Sequence, residues 1–95
     1  MMNAPALPDN APAAGSLWVH YKGNAYIVVR SALIESDLSP CVVYERATLL
    51  ASGVLPPLPT TFVRPLAEWT ELVQHEGETV PRFRPLAPAK LEGRQ

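Results

Sequence analysis

Leu17-Trp18-Val19-His20-Tyr21-Lys22-Gly23-Asn24-Ala25-Tyr26-Ile27-Val28-Val29 is the stretch whose reading decides the fold. Leu17, Val19 and Tyr21 alternate with Trp18, His20 and Lys22, the period of two that marks a half-buried strand. Lys22-Gly23-Asn24 then interrupts the pattern. Glycine takes positive φ without a Cβ penalty, and asparagine tolerates it better than most residues. Ala25 to Leu33 resumes with Tyr26, Ile27, Val28 and Val29, a β-branched and aromatic composition that suits a second strand. Two such runs around a short glycine-containing loop predict a hairpin.

Working outward, Glu35-Ser36-Asp37 reads as a polar turn and Cys41 to Glu45 as a third strand, with Pro40 tolerated at its start. Ala47 to Ser52 could continue that strand or form a helical turn. Pro56, Pro57 and Pro59 then impose an extended path, so a surface loop is expected up to Thr61. Phe62-Val63-Arg64 reads as a short fourth strand, and Pro65 fits the first position of a helix of about two turns. Leu66, Trp69 and Leu72 would share one face of that helix, with Glu68 near its N-terminal dipole. Glu76-Gly77 divides two further β-compatible runs, Leu72 to His75 and Glu78 to Arg84, and Pro81 marks the last as an edge strand. The sum is a mainly β domain of five to six antiparallel strands and one short helix. A small barrel or roll is its most economical closure, because closure removes strand edges.

The 95 residues allow a single domain. Residues 1–15 carry Pro5, Pro8 and Pro12, a single charge at Asp9 and no hydrophobic period, which predicts a disordered arm. Residues 16–86 form the expected domain, and 87–95 a disordered tail. About 70 residues is enough for a core without metal or cross-links, and Cys41, the lone cysteine, suits buried packing in a reducing cytoplasm. The arm lacks the basic start and continuous apolar run of a signal peptide, and no stretch approaches the ~20 apolar residues of a membrane span. A formal net charge of −1 argues against wholesale binding to nucleic acid or anionic lipid. Locally, Glu68, Glu71, Glu76 and Glu78 run without a basic partner in sequence, whereas Arg82, Arg84, Lys90 and Arg94 face only Glu92. The simplest use of both runs is a solvated face, and a basic strip beside Phe83 is the sharper one.

Four segments in fixed order, His20-Tyr21-Lys22-Gly23, Val42-Val43-Tyr44, Phe62-Val63-Arg64-Pro65 and Val80-Pro81-Arg82-Phe83, carry a resemblance to a known family. Over Leu17 to Arg84 the chain is similar to the small bacterial family catalogued as domain of unknown function 1653. The resemblance implies an SH3-like barrel and leaves the activity open. Family members are understood to carry His-Ser-Glu-Thr and a following Glu in the second hairpin turn, where this chain has Ile34, Glu35, Ser36, Asp37 and Ser39. Phe62 stands in place of the usual tryptophan, and Glu68-Trp69 in place of a Met-Phe pair.

For chemistry, His20, His75 and Cys41 show no paired ligand spacing, so no metal is expected. The five glycines are scattered singly, so no phosphate cradle and no cofactor is expected. Cys41, His20 and a glutamate show no spacing that suggests a catalytic triad. The candidate ligand-binding residues are Trp18, His20, Lys22, Tyr26, Tyr44, Arg64, Arg82 and Phe83. Tyr44 and Phe83 could equally be core aromatics, and Arg64 a structural partner of Glu35 or Glu45. His20, out of phase with Leu17 and Val19, should face a groove, where its charge could change near neutral pH. The first reading is a non-enzymatic adapter for a peptide or protein segment. A nucleic-acid-binding barrel is the alternative, and a small enzyme the third.

Overall fold

The computed structural model describes residues 7–50, 53–55 and 60–86. Eight strands and one helical turn follow in order: β1 (Leu17–His20), β2 (Ala25–Leu33), β3 (Pro40–Leu50), β4 (Gly53–Leu55), β5 (Thr61–Pro65), α1 (Leu66–Trp69), β6 (Leu72–His75), β7 (Glu78–Pro81) and β8 (Phe83–Pro85). The first sheet runs β4-β3-β2-β1-β8, with β5 also on β3, and β6-β7 forms a separate hairpin. All pairings are antiparallel. The mainly β class with one short helix is as the pattern predicts. Eight strands replace the expected five to six, and the pairings among the described residues leave the sheet open instead of closing a barrel.

The β1–β2 hairpin turns where expected. The His20 N–H donates to the Asn24 carbonyl at 2.8 Å and the Gly23 N–H to the His20 carbonyl at 2.7 Å, with Gly23 at φ 111°. Beyond it, β2 spans the predicted Ala25–Leu33, with a bulge between Val28 and Arg30. The Ile34–Ser39 turn is closed by Asp37, whose carboxylate accepts from the Ser39 N–H and hydroxyl.

Three expectations need correction. First, of the two readings open for Ala47–Ser52 the strand is the one found: β3 runs on to Leu50 and turns into β4, so part of the stretch expected as a surface loop is a hairpin. Thr48 is β-branched and favours the extended backbone, whereas the Pro56–Pro59 run lies outside the described residues. Second, the helix is one turn, with Pro65 at its N-cap. Leu66 and Trp69 are buried as expected, but Leu72 has left the helix for β6 and is exposed. Third, the run Glu78–Arg84 is two strands. The Arg82 N–H donates to the Glu71 carbonyl and its carbonyl accepts from the Tyr21 N–H, handing the chain from the hairpin to β1. The Glu76-Gly77 turn stands as predicted, both residues at positive φ.

The core gathers Val28, Val42, Tyr44, Leu66, Trp69 and Phe83, with Ala11, Trp18 and Tyr26 packed against it, and Cys41 is buried. Ala11 belongs to the stretch expected to be a free arm. Pro12 is buried as well, its carbonyl accepting from the Ser31 hydroxyl, while Gly15 N–H and Ser16 carbonyl both bond Val28. Residues 7–15 are therefore fastened to the sheet: the segment folds through tight turns, and its prolines bring no N–H that needs a partner where it lies on apolar surface. Residues 1–6 and 87–95 of the expected arm and tail lie outside the described residues.

Two stability measurements check this picture. Gly23→Val should cost about 1–3 kcal/mol through backbone strain alone, because the space around Gly23 is open; an unchanged urea midpoint would refute the turn. Deleting residues 1–13 should lower the melting temperature by several degrees, as each kcal/mol is worth roughly 4–8 °C in a domain this size. An unaltered melting curve would mean that the Ala11 and Pro12 packing carries no net stability.

Candidate functional site

Sheet register places the site. Residues directly opposite across a ladder share a face, as do residues two apart along a strand. Trp18 opposes Tyr26, His20 opposes Phe83, Val28 opposes Tyr44, Phe62 opposes Tyr44 and Arg64 opposes Val42. Trp18, His20, Tyr26, Tyr44, Phe62, Arg64 and Phe83 therefore look out from one face of the sheet. It is the same face that α1 covers with Trp69. The expected groove and the core are one continuous surface.

The aromatic rings on this face touch in sequence. Phe83 stacks on Trp69 with centroids 3.8 Å apart and planes 8° from parallel. Trp18 meets Trp69 edge-on at 5.5 Å, and its indole N–H donates to the Ser16 hydroxyl. Tyr44 lies 5.0 Å from Trp69 and 5.2 Å from Tyr26. Phe62 completes the row at 5.7 Å from Tyr44 and 6.4 Å from Tyr26. Burial falls along the row: Trp69 is 1% exposed, and Phe62 is 41% exposed.

Arg64 bridges core and rim. Its Nε donates to the Tyr44 hydroxyl at 3.3 Å, its guanidinium carbon lies 5.5 Å from the Phe83 ring centre, and its Nη1 pairs with Glu68 at 3.3 Å. The partner is Glu68, one helical turn on, and not Glu35 or Glu45; Glu45 instead accepts from Thr61. Arg82 is held away from the face, donating to the Glu68 carbonyl and pairing with Glu71 at 2.8 Å. Two of the glutamates that seemed unpartnered in sequence thus neutralise two arginines. Lys22 sits in the turn with its Nζ 5.9 Å over the Tyr21 ring. Of the eight candidates the structure brings six together and leaves Lys22 and Arg82 beside them.

His20 meets Phe83 edge-on at 5.0 Å and lies against Tyr21 at 4.5 Å, and its Nδ1 accepts from the Lys22 N–H. Partial burial, with the positive charges of Arg64, Arg82 and Lys22, holds its pKa below the ordinary 6.5. The imidazole is therefore neutral at pH 7. Among the described residues no group of three His, Cys, Asp or Glu stands close enough to hold a metal, and no helix is long and apolar enough to cross a membrane.

Sequence reasoning missed Phe62 and Trp69 as members of this surface. Phe62 was detectable, since it keeps the parity of Arg64 within the short strand Thr61–Pro65. Trp69 had the right helical spacing, but which sheet face it would cover depends on where the chain turns after Pro65.

The protein-family comparison matches residues 16–85 to a protein of unknown function, DUF1653, and the chain belongs to that family. A crystal structure of a DUF1653 protein from Bordetella bronchiseptica is similar at 32% identity with a TM-score of 0.57, over 79% of this chain and 85% of that one. No curated protein matches.

The low pKa of His20 has a stability consequence with a definite sign. The unfolded chain protonates His20 first, so its contribution is fully present above about pH 6.5 and is lost as pH falls toward the folded-state value. His20→Gln should flatten the fall in melting temperature just below pH 6.5. An identical pH profile in both proteins would mean that the imidazole is not desolvated.

Proposed function

We propose that this DUF1653 member is a non-enzymatic cytoplasmic binding module that takes an extended peptide or protein segment on the aromatic face ending at Phe62. One observation carries the reading: the aromatic row does not stop at the protein boundary but continues into solvent at Phe62. Ring faces of this kind take proline-bearing segments, which are already extended and lose little entropy on binding. The chain's own residues 7–15 support it, because a Pro-rich segment already lies against this cluster at Ala11. Arg64, beside Tyr44, supplies a polar handle for a ligand carbonyl.

A nucleic-acid reading draws on the same rings, since single strands stack on aromatics next to arginines. The pairing of Arg64 with Glu68 and of Arg82 with Glu71 weighs against it, because the cations it needs are already compensated.

Titration with a proline-rich peptide pool, followed by amide chemical shifts, tests the proposal. The responding residues should centre on Tyr26, Tyr44 and Phe62. Phe62→Ala should weaken binding at least about tenfold, roughly 1.4 kcal/mol, with little loss of stability because the ring is already well exposed. A response only to oligonucleotides, weakening steeply with salt, would replace the peptide reading by the nucleic-acid one.

A further inference from the structure

A second concavity lies on the other side of the β1–β8 pair. Arg84 opposes Val19 in the ladder, so it looks out from the sheet face opposite Phe83. Here the β6–β7 hairpin stands beside β8, and Tyr21, His75, Val80, Pro81 and Arg84 line a cavity of about 200 Å³. The Tyr21 and His75 rings meet edge-to-face at 5.2 Å and form an aromatic wall. Val80 and Pro81 add apolar surface. The charge of this cavity comes from Arg84. Among the described residues Arg64 and Arg82 each hold a carboxylate, and Arg84 holds none.

We propose that this cavity binds a small organic monocarboxylate carrying a flat apolar group. The carboxylate would take the planar guanidinium fork of Arg84, whose paired donors match two carboxylate oxygens. The apolar part would lie against Tyr21, His75, Val80 and Pro81, in the usual division of a ligand site into apolar walls and a few orienting polar groups. Size sets the scale: about 200 Å³ is roughly six or seven waters at ~30 Å³ each, the bulk of a single substituted ring. The surrounding charge selects the anion. Glu76 stands 3.8 Å from His75 Nε2 and Glu78 opposes His75 in the hairpin, so phosphate, which carries more negative charge than a carboxylate, meets the greater repulsion. The site shares no lining residue with the Phe62 face and stands or falls separately from the peptide reading.

The experiment titrates the intact protein at pH 7 with benzoate, benzamide and inorganic phosphate, reading backbone amide shifts. Benzoate should move Tyr21, His75, Val80 and Arg84 along one saturating curve. Benzamide, isosteric but neutral, and phosphate should each bind at least about tenfold more weakly. Arg84→Gln, a change at an exposed position, should remove the preference for benzoate over benzamide, while Phe62→Ala should leave benzoate binding intact. Equal responses to benzoate and benzamide, benzoate binding that survives Arg84→Gln, or shifts confined to Tyr26 and Phe62 would each overturn the assignment.

Discussion

The stack of Phe83 on Trp69 is the contact on which the rest of this small domain depends. Neither ring has a regular element large enough to hold it. Trp69 ends a single helical turn, far below the length at which a helix is stable by itself, and Phe83 opens a three-residue strand. Each is buried because the other is there, nearly parallel at 3.8 Å. The contact ties the chain after β5 to the chain after β7, so it draws α1 down onto the sheet and fastens β8 beside β1. Without it, β8 would have only a short ladder to hold it. The burial has a cost: Trp69 Nε1 is buried with no hydrogen-bond partner among the described residues, an omission typically worth about 1–3 kcal/mol. Five ring contacts from four neighbours, Trp18, His20, Tyr26 and Tyr44, offset that, each good one adding about 0.5–1.5 kcal/mol beyond its area.

From this stack follows the union of core and candidate site. A sheet with one helical turn to cover it cannot bury its whole inner face. The covered part, around Val28, Val42 and Trp69, is the core. The uncovered part is what remains of the same aromatic row, ending at Phe62. Arg64 stands at the transition, with its guanidinium against Phe83 and Tyr44 and its charge met by Glu68. Such an arginine keeps an aromatic rim polar enough for water while leaving the ring faces free.

How much of this the sequence discloses depends on the range of the interaction. Local patterns read well: Gly23 at positive φ between two alternating runs, the Ala25–Leu33 strand, the Glu76-Gly77 turn, and the burial of Leu66 and Trp69 all rest on neighbours a few residues away. The candidate residues Trp18, His20, Tyr26, Tyr44, Arg64 and Phe83 also proved to share a face, because parity within a strand carries across a ladder. What did not read was long-range. The sequence offers Glu35 or Glu45 as the partner of Arg64, whereas the one-turn helix brings Glu68 to it. The break at Arg82 was invisible because it is made by Glu71 and Tyr21, distant in sequence. The packing of Ala11 and Pro12 contradicts a composition that by itself signals disorder; its cause is the sheet surface that happens to be free beside Val28.

The turn Tyr21-Lys22-Gly23 gives the molecule its division of labour. His20 ends β1 facing Phe83, while Tyr21, one residue on, faces His75 across the hairpin. The two rings remain 4.5 Å apart, so one loop supplies a wall to each of two chemically different surfaces. On the His20 side the arginines are compensated by glutamates and the rings dominate, the setting on which the proposed peptide reading rests. On the Tyr21 side the ring surface is small and Arg84 is unpaired among the described residues, which favours a compact anion. The same residue types, aromatic and arginine, occur on both sides. What distinguishes them is whether a glutamate occupies the guanidinium, as it does at Arg64 and Arg82 and does not, among the described residues, at Arg84.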